Sequence, residues 1–382
     1  MPANVAIVGG GLSGLLVARA LHQAGMDFIL LEARERLGGR IFSAGADSKS
    51  SNDGFDLGPS WFWPDMQPEL RALVSELGLP VIAQHSEGDM LFERVAGDPP
   101  QRHRTMQSEP VSMRIAGGTS ALIARLAQSL PAGQLRLGAR ITRMVHIAGE
   151  VQLTIDDGER IDVRQAILAV PPRLLEETVH FSPALDDATA ERWRRTPTWM
   201  APHAKIFALY DRPFWRDVGL SGAARSAVGP LVEIHDATSA SGQAALFGFV
   251  GVPAQQRKQA GQEALVAAAI AQLTRLFGSA AASPSATLFK DWADDPLTAT
   301  QRDQIGGEHP YPDPRPWVSG AWQQHIVLAA SETSSTEPGY LAGAVEAARL
   351  AVVEITGRLN RPSPGASGDV EGGRPPRMEK HI

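Results

Sequence analysis

The feature that most constrains this chain is a glycine cluster close to its N-terminus. Gly9, Gly11 and Gly14 form a GxGxxG pattern directly after the apolar run at residues 4–8. A segment of helical apolar periodicity follows to about residue 24, and residues 27–32 form a second strand-like run. This order predicts a strand, a glycine turn, a helix and a second strand, which is the βαβ unit of a parallel sheet.

A glycine turn between a strand and a helix suits the diphosphate of a dinucleotide. Gly9 permits the tight turn, Gly11 lets the backbone approach a pyrophosphate, and Gly14 lets the helix pack closely on the strand. The helix N-terminus carries free N–H groups and a partial positive charge of about 0.5 e. Glu32 ends the second strand, where its carboxylate can accept hydrogen bonds from a ribose. The alternative interpretation is a glycine-rich turn with a surface glutamate.

A second pair of glycines follows Glu32. Gly38 and Gly39 bring the backbone close to the same ligand again, and Arg40 can offer its guanidinium fork to phosphate oxygens. The alternative for Arg40 is a solvent-exposed salt bridge. The first glycine cluster and Glu32 do not by themselves separate NAD from FAD.

Composition excludes several classes of function. The chain has 382 residues, no cysteine and a net charge of −6, from 36 basic and 42 acidic residues. The lack of cysteine excludes disulfides, iron–sulfur clusters and a cofactor attached through a thiol. The negative charge argues against a nucleic-acid partner. We predict no metal site. We also predict no membrane span and a cytoplasmic location, because a strand begins almost at the N-terminus and no apolar stretch is long enough to cross a bilayer.

The run from residue 32 to residue 40, Glu-Ala-Arg-Glu-Arg-Leu-Gly-Gly-Arg, resembles the second FAD motif of the flavin-containing amine oxidases, the family that includes monoamine oxidases. The resemblance extends from residue 1 to about residue 358. It is carried further by the segments 56–61 (DLGPSW), 117–118 and 169–172 (GG, AVPP), 203–216 (HAKIFALYDRPFWR), 330–333 (ASET) and 339–348 (GYLAGAVEAA).

The resemblance implies an α/β fold with a Rossmann-type FAD-binding domain and an interleaved mixed α+β substrate domain. Residues 1–64, 112–178 and 318–359 would form the discontinuous FAD-binding domain. Residues 65–111 and 179–317 would form the substrate domain, whose first part is short for this family. Residues 360–382, rich in proline, glycine and charge, are predicted to be a disordered tail.

The resemblance also implies FAD, held non-covalently because no cysteine is present to link it. Ile141 matches a backbone contact to adenine, and the C-terminal motif predicts a helix whose N-terminus points at the flavin ring. The residues predicted to bind FAD are Gly9, Gly11, Ser13, Gly14, Glu32, Ala33, Arg34, Gly38, Gly39, Arg40, Gly58, Pro59, Ser60, Trp61, Ile141, Glu332, Gly339, Tyr340 and Leu341.

The activity implied is that of an oxidase, with Lys205 and Tyr340 as its catalytic residues. A hydride equivalent passes from an amine to the flavin, the imine is hydrolysed, and O2 reoxidises the flavin to give hydrogen peroxide. In the family, the lysine matching Lys205 holds a water at flavin N5, whereas a lone strand lysine more usually reaches for solvent. Tyr340 matches one wall of an aromatic cage for the amine.

The second cage tyrosine would fall near Arg302, so this sequence departs from the family pattern there. The cage is either incomplete or completed by another aromatic residue such as Trp61, Trp63 or Trp292. We predict a substrate pocket lined by Trp61, Trp292 and Tyr340. We identify no dedicated general base, and four histidines are expected to be structural or at the surface: His85, His203, His235 and His325.

Alternative functions remain open from the sequence. An FAD-dependent desaturase or isomerase and a porphyrinogen-type oxidase share the same cofactor motifs, and a flavin-binding protein without turnover or an NAD-dependent enzyme would belong to other classes. The expected partners are a small-molecule amine and O2. A homodimer is an open option, because a partner subunit could close a cavity that the short segment 65–111 leaves open.

Overall fold

The computed structural model describes residues 4–51, 53–104, 110–305 and 308–359. The predicted tail at 360–382 lies outside these residues. The helices are α1 (Leu12–Gln23), α2 (Pro68–Glu76), α3 (Ser120–Gln128), α4 (Pro172–Thr178), α5 (Asp187–Arg195), α6 (Phe214–Asp217), α7 (Ala254–Ala260), α8 (Gln262–Phe277) and α9 (Leu341–Leu359). The strands are β1 (Val5–Val8), β2 (Phe28–Leu31), β3 (Ser43–Ala44), β4 (Phe55–Asp56), β5 (Val81–Ala83), β6 (Asp89–Glu93), β7 (Gln101–Arg104), β8 (Met113–Ile115), β9 (Leu135–Arg136), β10 (Ile141–Ile147), β11 (Glu150–Ile155), β12 (Arg160–Val163), β13 (Gln165–Leu168), β14 (His180–Ser182), β15 (Ala204–Tyr210), β16 (Leu220–Ser226), β17 (Leu231–Asp236), β18 (Ala244–Val250), β19 (Ala286–Asp291) and β20 (Ile326–Leu328).

A parallel sheet with the strand order β20-β13-β1-β2-β9 confirms the predicted βαβ opening. Val8 pairs with Leu31, so the glycine cluster and Glu32 leave the sheet at the same edge. β20 brings the C-terminal part of the chain to that edge as well, because it runs parallel to β13. The carboxyl ends of parallel strands are where open α/β sheets bind ligands.

The two faces of this sheet are covered differently. One face packs on helices α1, α2, α3 and α9 in a single apolar cluster. The other face packs against a second sheet of order β12-β11-β10-β14. β14 also belongs to that sheet, because it pairs with β10. It lies just after residue 178, where we predict that the second segment of the FAD-binding domain ends. The division into domains itself stays a prediction.

A seven-stranded sheet forms the remainder, in the order β19-β15-β18-β17-β16-β6-β7. One of its faces packs on α8. The other face carries Lys205 and packs on Phe55 and Leu57. Lys205, Phe249 and Glu233 lie in one row across β15, β18 and β17, because each is paired with the next. This face therefore places a lysine and aromatic side chains next to the segment that follows β4.

The predicted first strand, helix and second strand agree with the structure to within one or two residues at their ends. The basic cluster on α5 agrees only in part, because Arg195 is exposed as expected but Arg192 is not. From the sequence we expect Arg192–Arg195 to form a solvated helix face. Arg192 is instead buried, with its guanidinium stacked 3.6 Å from the Trp317 ring centroid and one Nη donating to the Asp313 carbonyl at 2.9 Å. The stem of an arginine covers apolar surface well, so charge alone did not indicate exposure.

Within the described ranges, no helix combines the length and the apolar character needed to cross a bilayer.

Candidate functional site

A cavity with an empty volume of about 1360 Å³, open solvent included, lies at the carboxyl edge of the parallel sheet. Most of the predicted cofactor residues line it, and these come from both ends of the chain. They are Gly9, Gly11, Ser13, Glu32, Ala33, Arg34, Gly38, Gly39, Arg40, Pro59, Trp61, Ile141, Gly339, Tyr340 and Leu341. The structure thus brings together segments separated by more than three hundred residues.

The glycine cluster has the geometry of a phosphate cradle. A Cβ on Gly11 would have only one neighbouring atom within 4 Å, the Gly38 oxygen at 3.9 Å, so this backbone faces open space in the cavity. A Cβ on Gly14 would lie 1.9 Å from the Gly9 oxygen, so only glycine lets α1 pack this closely on β1. The N-terminus of α1 has no side-chain cap. Its free amides are therefore available to an anion.

Glu32 lies at the sheet edge with its carboxylate already oriented. Its Oε2 accepts from the amide of Gly10 at 2.6 Å, and its Oε1 accepts from the amide of Arg34 at 2.9 Å. The side chain is buried yet lines the cavity. A carboxylate fixed in this way retains lone pairs for the hydroxyl groups of a ribose.

Arg40 and Glu332 join the two ends of the chain beside the cavity. Arg40 Nη1 donates to Glu332 Oε1 at 2.5 Å, and its Nη2 donates to Oε2 at 3.0 Å. Nη1 also donates to the carbonyl of Trp199 at 2.9 Å. Glu332 is fully buried, so this salt bridge is not an exposed surface pair. The expected contact between Arg40 and a phosphate stays a prediction. Arg40 is a fixed cation at the cavity wall, and Glu332 holds it there.

Gly58 and Ser60 are predicted cofactor residues that do not line the cavity. They support neighbouring residues that do. A Cβ on Gly58 would lie 1.9 Å from the Arg40 oxygen, so the segment after β4 crosses directly over the Arg40 backbone. Ser60 Oγ accepts a hydrogen bond from Lys205 Nζ. This segment ends in Pro59 and Trp61, which do line the cavity.

Lys205 is 1% exposed and uses its three donors on protein oxygens. Its Nζ donates to the carbonyls of Asp56 (3.1 Å) and Gly58 (2.5 Å) and to Ser60 Oγ (3.0 Å). Burial lowers the pKa of Lys205 from 10.5 to about 7, although nearby Asp56 opposes the shift. Burial likewise raises the pKa of Asp56. Lys205 does not reach solvent, and it fixes the segment that carries Pro59 and Trp61; contact with a water at the flavin stays a prediction.

Tyr340, at 38% exposed, stands at the start of α9 among rings that we name the Tyr340 cluster: Trp63, Trp199, His309 and Tyr340. The ring centroids of these three neighbours lie 6.4, 6.2 and 4.7 Å from that of Tyr340. Arg302, where the family pattern would place a second tyrosine, is exposed on a 3-10 turn (Gln301–Gln304). Of the three residues that we expected to complete the cage, Trp63 lies beside Tyr340, whereas Trp61 and Trp292 do not. Trp199 and His309 lie there as well.

Trp61 and Trp292 occupy other places. Trp61 lines the cavity, but its ring packs edge-on against His235 at 4.8 Å and near Phe247 at 5.5 Å. Trp292 is fully buried, and its indole N–H donates to the Leu57 carbonyl at 2.9 Å. Trp292 does not contribute to the cavity lining, so the structure places it in support of the segment after β4.

Sequence reasoning missed several parts of the wall, among them Leu174, Leu175 and Thr178 on α4. Trp199 and Met200 line the cavity from the turn before β15, and the same is true of residues 296–298 after β19. Met200 has φ +71°, a strained value for a residue with a side chain, and strain of this kind is often found at functional sites. Arg34, which follows β2, connects that strand to the wall at residues 296–298. Its Nη1 donates to Asp295 Oδ1 at 3.0 Å and its Nη2 donates to Thr298 Oγ1 at 2.8 Å. No motif in the sequence pointed to these contacts.

Comparison with known proteins agrees with this architecture. A family model described as flavin containing amine oxidoreductase matches residues 92–356, and a model of an NAD(P)-binding Rossmann-like domain matches residues 7–77. A probable flavin-containing monoamine oxidase A of Dictyostelium discoideum is 23% identical, covering 93% of this chain and 98% of the relative. The putrescine oxidase of Kocuria rosea is 24% identical, covering 93% and 95%.

Two solved structures share the fold. Wild-type putrescine oxidase bound to putrescine superposes with a TM-score of 0.77 at 21% identity, covering 94% of this chain and 99% of that one. Cyclohexylamine oxidase from Brevibacterium oxydans IH-35A superposes with a TM-score of 0.77 at 20% identity, covering 94% and 100%. Since the family model alone spans more than half of the sequence, this chain belongs to the flavin containing amine oxidoreductases.

Proposed function

We propose that this protein is an oxidase that binds FAD non-covalently and oxidises an amine at its C–N bond. The observation that carries the proposal is one cavity shared by the glycine cradle, Glu32 and the start of α9. The cradle and Glu32 suit the diphosphate and ribose of an adenine dinucleotide. A thioether link to the flavin has no residue to form it, because the chain has no cysteine.

Bound FAD would accept a hydride equivalent from the carbon next to the amine nitrogen and pass the electrons to O2, so that water, O2 and the amine give a carbonyl product, ammonia or an amine, and hydrogen peroxide. The chain's own groups would orient the substrate and polarise the site. The N-terminus of α9, at Tyr340 and Leu341, would stabilise negative charge on a ring placed against it. The Tyr340 cluster would give the amine a set of aromatic faces.

Substrate class is supported by the relatives, which are named for putrescine, cyclohexylamine and monoamines. O2 as the electron acceptor, the homodimer and the cytoplasmic location expected from the sequence remain predictions.

The test begins with the purified holoprotein. We expect a yellow protein that releases its flavin on denaturation, with the released flavin identified chromatographically as FAD. Anaerobic addition of amines from a panel of monoamines, diamines and amino acids should bleach the flavin, and admission of air should restore the colour with peroxide formed. Bleaching by a polyene or a porphyrinogen alone would favour a desaturase or porphyrinogen-type oxidase. FAD that no substrate bleaches would favour a flavin-binding protein without turnover, and a colourless protein that binds NAD would contradict the proposal.

A further inference from the structure

Trp61 lines the cavity from the side of the seven-stranded sheet. Its ring centroid lies 4.8 Å from that of His235 on β17, and 5.5 and 6.3 Å from those of Phe247 and Phe249 on β18. The residue is only half-buried. One part of the indole is therefore packed on the sheet, and another part is open to the cavity.

Gln84 fixes the tilt of this indole. Its Oε1 accepts a hydrogen bond from Trp61 Nε1 at 2.8 Å. Its Nε2 donates to the carbonyls of Asp236 at 2.7 Å and of His85 at 3.3 Å. An indole N–H can only donate and a carbonyl can only accept, so only one orientation of the Gln84 amide satisfies all three contacts. The amide cannot turn over without leaving the N–H of Trp61 unpaired.

Gln84 itself stands on a fixed base. It follows β5, which pairs with β8, and its backbone N–H donates to the Ser112 carbonyl at 2.9 Å. On β8, Arg114 donates to the carbonyls of Ala237 and Thr238, which follow β17, at 3.1 Å each. The two strands are therefore tied to the seven-stranded sheet through both Gln84 and Arg114. The short segment 65–111 reaches the cavity wall in this way, because Gln84 holds a residue that lines it.

Trp63 is held in a similar way but is less suited to shape the cavity. Its Nε1 donates to Ser112 Oγ at 2.9 Å, so the same pair of strands fixes both tryptophans. Trp63 is not one of the described residues that line the cavity, whereas Trp61 is. A change in the tilt of Trp61 alters the cavity surface directly.

We propose that Gln84 is a positioning residue for amine binding, which holds Trp61 in the orientation that places its indole against the carbon chain or ring of the amine. This inference rests on the proposed amine oxidase function. Without the bond to Gln84 the indole would be free to take other orientations, and only the fraction of molecules with the fitting one would bind the amine tightly. A neutral hydrogen bond is strong enough to change that fraction by about 5-fold.

The experiment measures anaerobic flavin reduction in the holoenzyme by the panel amine that the wild type binds most tightly. Gln84→Met keeps the length of the side chain but removes the amide. We expect it to raise the apparent dissociation constant of the amine by about 5-fold, while the limiting rate of flavin reduction and the dissociation constant of FAD change by less than about 2-fold. In a Trp61→Phe background, which has no indole N–H, the same substitution should change the amine constant by less than about 2-fold.

Gln304→Met is the matched control. Gln304 is also a half-buried glutamine whose Nε2 donates to a backbone carbonyl, that of Ala293 at 2.6 Å, but it lies outside the cavity lining described above. It should leave the amine constant unchanged. The inference is overturned if Gln84→Met acts equally in the wild-type and Trp61→Phe backgrounds, since Gln84 would then act through the fold. It is also overturned if Gln84→Met weakens FAD rather than the amine, since Trp61 would then contact the cofactor.

A second variant covers a failure of Gln84→Met to fold. Gln84→Asn is one methylene shorter, too short to reach both the indole and the Asp236 carbonyl, and it takes the same place in the cycle with the same expected results. If neither variant folds, Gln84 is a structural residue and the inference is overturned. If no amine reduces the wild-type flavin, the proposed function fails and this inference fails with it; if amines reduce it and Gln84→Met binds them as the wild type does, only this inference fails.

Discussion

Among single residues, Lys205 is a basic side chain that is almost fully buried and that contacts the segment after β4. Its Nζ holds the carbonyls of Asp56 and Gly58, and it lies 4.9 Å from the ring centroid of Phe247. We predict that Lys205→Met slows reoxidation of the reduced flavin by O2 by about 10-fold or more, because a fixed cation near developing negative charge is lost. Stopped-flow mixing of reduced enzyme with O2 measures this, with FAD content as the control. Unchanged reoxidation would reject the role and leave Lys205 a purely structural residue.

The same lysine makes the stability of the protein depend on pH. The pKa of Lys205 is about 7 in the folded protein and 10.5 ordinarily, so the unfolded chain binds more protons between these two values. Stability therefore rises with pH across this window, and the cost of burying the charged form is fully present below about pH 7. Relative to Lys205→Met, the wild type should gain in denaturant midpoint from pH 7 to pH 10. Parallel midpoints for the two proteins over this range would show that the pKa of Lys205 is not lowered.

At the scale of elements, the start of α9 is held by a carboxylate within the helix. Glu346 accepts from the hydroxyls of Ser334, Ser335 and Thr336 in the loop that leads to Gly339. Burial opposes its ionisation, but these hydrogen bonds outweigh burial and lower the pKa of Glu346 to about 2. The stability it provides is present above its ordinary pKa of 4.5 and is lost as the pH falls toward 2.

Glu346→Gln tests this anchor. The amide keeps the shape but loses the charge, and at most one oxygen remains to accept the three hydroxyls. We expect a loss of about 1.5–3 kcal/mol at neutral pH, typical of hydrogen bonds to a charged group, and a smaller difference from the wild type near pH 3. Urea unfolding at the two pH values measures both. Glu354→Gln, on the exposed side of the same helix, is the control and should stay within about 0.5 kcal/mol. An equal loss at both pH values would contradict the charged anchor.

Elements with strong local signals could be predicted from the sequence, and contacts between distant elements could not. Helix α1 ends at Gln23, next to the predicted end at about residue 24, because apolar periodicity is a local feature of the sequence. The cofactor residues between Gly9 and Arg40 could be predicted, because their motifs have a physical mechanism. Trp199 and His309 do not, since their role depends on the chain returning past Gly339, and no periodicity encodes that return. Arg192 was misjudged for a similar reason, because its partners Asp313 and Trp317 are far along the sequence.

At the scale of the whole molecule, the cavity is a junction between regions of the chain rather than a property of one of them. The Arg40–Glu332 pair connects the N-terminal motif to the segment before α9. The Lys205 side chain connects the seven-stranded sheet to the segment after β4. Arg34 and Asp295 make a third connection, between the end of β2 and the wall at residues 296–298. Each connection is a basic side chain whose donors are satisfied by protein oxygens in a largely buried place, where removal of one partner is costly.

The Arg34–Asp295 pair allows this view to be measured. Arg34 Nη1 lies 3.0 Å from Asp295 Oδ1 with both side chains largely buried, and Lys290 Nζ donates to the other oxygen of Asp295 at 2.8 Å. We predict a coupling of about 1–3 kcal/mol in a double-mutant cycle of Arg34→Met and Asp295→Asn, together with weaker FAD retention in each single variant, because the wall at residues 296–298 loses its anchor. Unfolding midpoints and FAD titration of apoprotein give the two readouts. The exposed pair Arg195–Glu191 is the matched control, with an expected coupling below about 0.5 kcal/mol. A coupling as small as the control, with FAD retained as in the wild type, would mean that the two regions meet at the cavity without depending on each other.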